Sequence, residues 1–487
     1  MKSKYFLPVL AALMLTACHK DLDVIQTDQI TASGMWKSEG DANSAMFGSH
    51  QLLRAAFSQG LVYWGEYRTG LWGPGNHKGL SQTPRDQVYQ SSMPNTHDYA
   101  DWENIYKVIN NANLLLKYTP NISFANADKK KEVLANGYFV RAVCYYWIAR
   151  IWGNAPLVLE AVESPSQELL PQRSSVTDIL AQVEQDIDAA LSNMPASVTA
   201  KKTASLASLN MLKADFSLWM YKVKNAGNTY LDKAETAVAA VLGNSALGLE
   251  TNYASIFATA SESGKEVIYS WNYAQDEYTG GYAADYQFNS ATVTPAYHFN
   301  PVAVGGNQQW CFYTDDYVNV LTQNAADTRL ATNYQVFFDN QMNQTFHWTN
   351  KYKGTWLNKT LILDADIILY RLADAYMFNA EIKYYRNDAT GAVQEVNKLV
   401  KRAYGVDAYY STSSTLPQAH DIIVKERMRE FPAEGKLWWD FIRLGVAFDW
   451  NSFLAAKQNQ QNILLWPISD NSINDNPNLG GQTPGWQ

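Results

Sequence analysis

The side chains with the clearest capacity for chemistry are concentrated in residues 425–445, KERMREFPAEGKLWWDFIRLG. Glu426 and Glu430 are four residues apart, so a helix would place both carboxylates on one face, where they could act as an acid and a base. Arg427 and Arg429 stand beside them. Guanidinium groups lower the pKa of a neighbouring carboxyl, whereas a general acid requires a raised pKa. We therefore interpret this segment as a structural ion-pair cluster.

Other signatures of catalysis are weak. Asp315 and Asp316 are adjacent, and neighbouring residues of a strand point to opposite faces, so they would form a poor catalytic pair. The chain contains no H-E-x-x-H, C-x-x-C or G-x-S-x-G motif. The glycine-rich stretch 73–79, GPGNHKG, has Lys78 where a dinucleotide fingerprint has its third glycine. We expect a protein that is not an enzyme and uses no metal or cofactor, with glycoside hydrolysis as a minor alternative.

Two long segments, 61–78 and 271–313, lack helical periodicity and are rich in Tyr and Trp. Such rings have an apolar face and a polar tip, a combination suited to wet binding surfaces. The apolar face of a sugar ring can stack on them while nearby polar side chains bind its hydroxyls. Packing in the core of its own loop is the alternative role for any single ring. The candidate ligand-binding residues are Trp64, Tyr67, Trp72, Asn76, Tyr278, Tyr286 and Trp310.

The scaffold that must position these loops is helical. Apolar residues recur at three- and four-residue steps in many segments, which is typical of amphipathic helices. Successive helices resemble tetratricopeptide hairpins, but no clean 34-residue repeat runs through them. The predicted fold is mostly α, a distorted tetratricopeptide-like helical-hairpin scaffold with long irregular aromatic-rich loops and little β structure. The predicted helices are 101–118, 132–158 with a stop signal at Gly153 and Pro156, 174–191, 203–222, 230–242, 365–385 and 389–405, with two more meeting at Pro432 to Gly435.

The N-terminus is predicted to be a processing signal. Lys2 and Lys4 precede an apolar stretch, residues 5–14, that is too short to span a bilayer. Leu-Thr-Ala-Cys at 15–18 resembles a bacterial lipobox, which would make Cys18 the lipidated first residue of the mature protein. An ordinary secretory signal is the alternative.

Charge and cysteine content limit the remaining possibilities. Removal of residues 1–17 takes away two lysines and no acid, so the net charge falls from −8 to −10. An acidic chain is a poor partner for nucleic acid, whose phosphates are neutralised by Lys and Arg. With Cys18 lipidated, only Cys144 and Cys311 could form a disulfide, so disulfides are not the framework of the fold.

Several segments, taken in order, resemble the SusD/RagB family of Bacteroidetes. The most specific is the block Glu426-Arg427, Glu430, Glu434-Gly435, Trp438, Asp440 and Arg443, which is similar to the family signature Glu-Arg-x-x-Glu…Glu-Gly-x-x-Trp-x-Asp-Leu-x-Arg. Pro432-Ala433 and Leu437 depart from the usual residues of that block. Further matching segments are 102–113, 137–158, 178–195, 201–219, 366–382 and the ending 464–487.

The resemblance implies a non-catalytic, glycan-binding lipoprotein, lipid-anchored at the cell surface in the outer membrane. It would act as a lid on a SusC-type TonB-dependent transporter and deliver oligosaccharide to it. A peptide-binding import component of the RagB type is the alternative. We expect a signal peptide at 1–17, an N-terminal helical part at 18–260 and a C-terminal part at 261–487, packed as one globule. Ligand residues of the family lie in variable loops, so none is carried over by position.

Overall fold

The structure is a computed structural model, and it describes most of the chain after the predicted signal. The described residues are 35–73, 83–164, 166–259, 264–276, 282, 285, 293–297, 309–358 and 360–486. Within these ranges, no helix combines the length and apolar character that crossing a bilayer would require.

Helices make up most of the described fold. They are α1 (Glu39–Phe57), α2 (Gly60–Gly65), α3 (Thr83–Tyr89), α4 (Glu103–Tyr118), α5 (Ala127–Ile151), α6 (Val176–Asn193), α7 (Leu206–Lys222), α8 (Asn228–Leu242), α9 (Asp315–Thr322), α10 (Leu330–Asn333), α11 (Leu372–Tyr385), α12 (Ala389–Tyr404), α13 (Leu416–Glu430), α14 (Leu437–Leu444), α15 (Ser452–Ala455) and α16 (Asp470–Asp475). Short 3-10 helices occupy Tyr67–Thr69, Asp98–Ala100, Thr119–Asn121, Tyr253–Phe257, Pro295–Tyr297 and Pro477–Leu479.

The long helices pack as successive hairpins. Helix α5 lies between α4 and α6, α7 packs on α8, and α11 packs on α12. Helix α8 also contacts α11, which joins the early hairpins to the late one. Several helices begin where the sequence offers a capping side chain: Ser175, Ser205 and Thr415 each accept a hydrogen bond from a backbone N–H of the first turn. The predicted mostly α, tetratricopeptide-like fold is confirmed.

The described strands form two-stranded antiparallel pairs. These are β1 (Trp72–Gly73) with β5 (Phe312–Tyr313), β2 (Ala155–Pro156) with β3 (Arg173–Ser174), β4 (Val267–Trp271) with β10 (Ile367–Arg371), β6 (Gln335–Asp339) with β7 (Gln344–Trp348), and β8 (Thr355–Leu357) with β9 (Thr360–Ile362). The pair β1–β5 joins the two aromatic-rich segments of the sequence, because Trp72 lies opposite Tyr313.

Strand β10 corrects one sequence prediction. A helix was expected over 365–385, but residues 367–371 pair with β4, and α11 begins only at Leu372. The backbone N–H of Arg371 donates to the Asp374 carboxylate at 2.9 Å, which caps the new helix. A run of buried apolar residues is compatible with either a helix or a strand, and a partner 100 residues away in sequence decided the outcome.

One large hydrophobic cluster runs from Leu53 to Trp486 and is dense in aromatic rings. Trp152, Trp271, Trp438 and Trp466 are among its fully buried members. Cys144 and Cys311 are both buried, and neither forms a disulfide. Burial raises the pKa of the Cys311 thiol to about 12, so the thiol stays protonated.

Candidate functional site

The segment 425–445 forms a buried corner between α13 and α14. Gly435 has φ +68°, a left-handed conformation that glycine adopts without strain. The aromatic segment around α2 lies directly against this corner, since a Cβ added to Gly65 would collide with the carbonyl oxygen of Gly435. The corner therefore supports the segment in which the sequence predicted ligand-binding rings.

Arginines surround the carboxylates of the corner. The Arg371 guanidinium contacts Glu430 at 2.6 Å, Glu266 at 2.8 Å and Glu434 at 2.9 Å. Arg329 contacts Glu426 at 2.9 Å and Glu430 at 3.0 Å. All these side chains are essentially inaccessible to solvent. We call Arg329, Arg371 and their carboxylate partners Glu266, Asp327, Glu426, Glu430 and Glu434 the corner cluster.

The electrostatics of the corner cluster argue against acid–base chemistry there. Burial alone would raise the pKa of Glu430, but the guanidiniums of Arg402, Arg371 and Arg329 outweigh it and hold that pKa far below its usual range. The pKa of Glu434 is lowered in the same way, with burial opposed by Arg371 and Lys351. Both carboxylates are ionised at neutral pH and cannot donate a proton. The predicted ion-pair cluster around Glu426 and Glu430 is confirmed, and its role in stability stays a prediction.

Glu66 links the corner to the aromatic segment. One of its carboxyl oxygens accepts hydrogen bonds from the backbone N–H groups of Glu434 at 3.2 Å and Gly435 at 3.0 Å. The other accepts from the indole N–H of Trp72 at 3.1 Å. Burial raises the pKa of Glu66 to about 8, although the hydrogen bonds from Trp72 and Gly435 oppose this shift. This carboxyl therefore fixes the position of Trp72, and with it the start of β1.

Replacing Glu66 with alanine is expected to lower the free energy of unfolding by about 3 kcal/mol, because three buried N–H donors lose their acceptor. Glu66→Gln retains one carbonyl oxygen, so about half of that loss is expected. Denaturant unfolding followed by circular dichroism measures both changes. Glu39→Ala is the control, since Glu39 also accepts a backbone N–H, from Ala125 at 2.9 Å, but at an exposed site. Equal losses in the two alanine variants would contradict the role given to Glu66.

Three of the predicted ligand-binding rings lie in the core. Trp64 is 2% exposed and packs edge-on against Phe57, Trp147 and Trp152. Tyr67 and Trp72 are equally covered, and the Trp72 ring lies 4.6 Å from that of Tyr313. The rings occupy these positions because α2, the following 3-10 helix and β1 turn Trp64, Tyr67 and Trp72 inward. No face of theirs is open to a sugar in this conformation, and ligand contact by them stays a prediction.

The remaining candidates divide into two groups. Asn76, Tyr278 and Tyr286 lie outside the described residues, as does the predicted lipidation site Cys18. Trp310 is described and half-buried. The Arg85 guanidinium lies over its ring, 5.6 Å from the ring centre. Among the described candidate ligand-binding rings, Trp310 is therefore the one that is half-buried and lies beside a charged side chain.

We call Tyr63, Arg85, Tyr99, Asp285 and Trp310 the Arg85 cluster. Two nitrogens of Arg85 donate hydrogen bonds to the Asp285 carboxylate, Nη2 at 2.5 Å and Nε at 3.0 Å. The Tyr63 hydroxyl donates to the same carboxylate at 3.2 Å, and the Tyr63 ring stacks on the Tyr99 ring with 3.9 Å between centres. The backbone N–H of Trp310 donates to the Asp285 carbonyl at 2.7 Å. These contacts hold a tryptophan, a charged pair and two tyrosines in one place.

The chemistry of the Arg85 cluster suits a polyhydroxylated ligand. The side chains of Arg85 and Asp285 are 14% and 18% exposed, so the pair is shielded but can still be reached. A charge-assisted, bidentate pair keeps its geometry, and guanidinium and carboxylate groups are of the kind that bind hydroxyl groups. The adjacent Trp310 and Tyr99 rings, both half-buried, supply apolar surface. Burial would lower the pKa of Arg85, but Asp285 outweighs it and raises that pKa, so the arginine stays charged.

Sequence reasoning missed Arg85, Tyr99 and Asp285. Arg85 and Asp285 are 200 positions apart, and no motif marks either. The one available signal for Asp285 was its position in the sequence. It lies next to Tyr286, a candidate ligand-binding residue, inside the aromatic-rich segment 271–313. Across the described ranges, no group of three or more His, Cys, Asp or Glu side chains has the arrangement of a metal site.

Comparison with known proteins gives a consistent result. A family model described as "Starch-binding associating with outer membrane" matches residues 76–212, and one described as "SusD family" matches residues 266–486. SusD-like protein P38 of Formosa agariphila is 25% identical over 518 aligned residues, covering 98% of each chain. The starch-binding protein SusD of Bacteroides thetaiotaomicron is 32% identical over 125 residues, which is 24% of this chain and 21% of that protein.

Among solved structures, B. fragilis NanU superimposes with a TM-score of 0.83 at 25% sequence identity. The superposition covers 94% of this chain and 99% of NanU. The similarity in fold therefore extends over most of the chain.

Proposed function

Because the chain belongs to the SusD/RagB family, we propose that it is a cell-surface lipoprotein that captures oligosaccharide. Acyl chains on Cys18 would hold it at the outer membrane, where it would deliver the oligosaccharide to a SusC-type TonB-dependent transporter. The family description that matches residues 76–212 refers to starch binding and to the outer membrane, which supports both parts of the proposal. The bound sugar is passed on without chemical change.

The observation that carries this proposal is the Arg85 cluster. A half-buried Trp310 ring lies beside a bidentate Arg85–Asp285 pair, and the two groups together match the apolar face and the hydroxyl rim of a sugar ring. Among the described residues, the carboxyls whose pKa is raised by burial, Glu66 and Asp440, are both buried in the corner. Binding, rather than hydrolysis, is the activity that these residues favour.

The test is calorimetric titration of the full-length protein with oligosaccharides of defined linkage and, separately, with short peptides. Micelles of a detergent without a sugar head group, such as lauryldimethylamine oxide, avoid competition from the detergent. We expect binding of one oligosaccharide class, and we expect Trp310→Ala to weaken it about 30-fold, as for a tryptophan that anchors an interface. The bound sugar should be recovered unchanged after long incubation.

Trp36→Ala provides a matched control, because Trp36 is also half-buried and stacks on another ring, that of Tyr118, at 5.2 Å. It should leave the affinity for sugar at the wild-type value. Equal affinity in wild type and Trp310→Ala would refute the site, binding of peptides alone would favour the RagB-type alternative, and release of shorter sugars would show an enzyme.

A further inference from the structure

A second recess lies away from the Arg85–Asp285 pair, along one face of α4. It has a volume of about 960 Å³ and an open side. Trp102, Tyr106, Asn110 and Leu114 line its floor at four-residue intervals. Its two walls come from residues 156–171, of which 165 is not described, and from residues 471–479. We call this recess the α4 groove.

The walls of the α4 groove are fixed by side-chain amides. The Asn110 side chain bonds both the backbone N–H (2.7 Å) and the carbonyl (3.1 Å) of Val162. Asn476 and Asn478 donate across to the carbonyls of Pro171 at 2.8 Å and Leu170 at 2.7 Å, which ties one wall to the other. The groove is therefore preformed, and an occupant would not have to order its walls.

Exposed leucines gather at the mouth of the groove. Leu52 is 40% exposed and Leu169 is 48% exposed, and both line the groove. Leu159 and Leu170, in the same wall segment, are also exposed. A concentration of exposed apolar side chains beside a recess marks an interaction surface more often than isolated apolar residues do. Aliphatic walls favour a polypeptide over a sugar, and the Trp102 ring on the floor is only 6% exposed.

The rim of the groove is acidic. Asp101, Glu103, Glu168 and Asp475 line it, whereas its one lysine, Lys107, is already paired with Glu103 at 2.8 Å. An unbalanced set of carboxylates around an apolar recess attracts cationic groups and repels anionic ones.

We propose that the α4 groove docks an extended polypeptide segment of a partner protein, with leucine-sized side chains flanked by Lys or Arg. The floor from Trp102 to Leu114 is about 18 Å long at 1.5 Å per helical residue, which matches about five residues of extended chain. Leucine-sized side chains fill the apolar recess, and the flanking cations face the acidic rim. This surface is separate from the Arg85 cluster and does not depend on the identity of the ligand bound there.

The test is binding of two labelled pentapeptides, Lys-Leu-Lys-Leu-Lys and Glu-Leu-Glu-Leu-Glu, to the full-length protein in zwitterionic detergent, followed by fluorescence anisotropy. We expect the lysine peptide to bind at least about tenfold more tightly, because charge complementarity separates the two. The double substitution Glu168→Lys/Asp475→Lys, at two exposed positions, should reverse this preference. Leu169→Gln should lower the affinity for the lysine peptide about fivefold, because apolar surface that the peptide buries is lost.

Leu357→Gln is the matched control, since Leu357 is 44% exposed and lies outside the groove. It should leave peptide binding unchanged. Failure of both peptides to bind, equal affinity for the two, or persistence of the lysine preference in the double variant would each overturn the proposal. Oligosaccharide binding that is lost in Leu169→Gln but kept in Trp310→Ala would also overturn it and identify the groove as a sugar site. Loss of sugar binding in Trp310→Ala alone concerns only the Arg85 cluster.

Discussion

Arg371→Ala is expected to lower the free energy of unfolding by about 3–5 kcal/mol, the usual cost of removing one member of a buried ion pair. Arg371 contacts Glu266, Glu430 and Glu434, and all four side chains are essentially inaccessible to solvent. Removal of the guanidinium takes away the cation that all three carboxylates share, in a medium where water cannot screen their repulsion. The cations that remain beside them are Arg329, Lys351, Arg402 and Lys436. Denaturant unfolding monitored by circular dichroism gives the change directly.

Arg386→Ala serves as the matched control. Arg386 also pairs with two carboxylates, Asp232 and Glu235, but its side chain is 34% exposed and theirs are 64% and 42% exposed. Exposed ion pairs contribute about 0–1 kcal/mol, so this variant should unfold almost as the wild type does. A loss below about 1 kcal/mol in Arg371→Ala would show that the corner cluster does not support the fold.

The free energy of unfolding is expected to fall steeply as the pH is lowered into the acid range. The pKa values of Glu430 and Glu434 are held low in the folded state by arginine and lysine, while in the unfolded chain they return to about 4.5. Their contribution to stability is therefore fully present above about pH 4.5 and is lost as the pH falls. For each carboxylate that stays ionised in the folded state, the free energy of unfolding falls by about 1.4 kcal/mol for every pH unit below about pH 4.5. Two of them together give a slope of about 2.7 kcal/mol per pH unit.

Unfolding free energies measured between pH 4.5 and pH 3 test this slope. Glu66 does not contribute to it below about pH 4.5, because a group whose folded pKa is about 8 is protonated in both states there. Glu430→Gln removes one titrating group and should reduce the slope by about half. A free energy of unfolding that does not change between pH 4.5 and pH 3 would contradict the low pKa values of Glu430 and Glu434.

Much of the scaffold was predictable because its signals are local. The periodicity of 174–191 and 203–222 predicted α6 and α7 to within about three residues at each end. The change from α13 to α14 was predicted from Pro432 and Gly435, whose backbone preferences act within one turn. The start of α11 was not predictable in this way, since residues 367–371 become a strand only because β4 is available to pair with them.

The candidate site was less predictable than the scaffold. Composition identified the aromatic segments, and Trp310 within them, but it could not distinguish a buried ring from an exposed one. Trp64, Tyr67 and Trp72 have the residue types expected of a sugar-binding surface, yet α2 and the corner cover them. Arg85 and Asp285 carry no motif, and their pairing follows from the way α3 and a segment 200 positions away in sequence are brought together.

By itself, the sequence determined the helical class of the protein, the positions of most helices, the ion-pair character of the corner and the family resemblance. These properties depend on periodicity, capping residues and charge spacing, which act over a few residues. Only the tertiary structure decided which aromatic rings face solvent, which arginine meets which carboxylate, and where the α4 groove opens. Those outcomes depend on contacts between residues tens to hundreds of positions apart, and burial is a property of the assembled chain rather than of any segment.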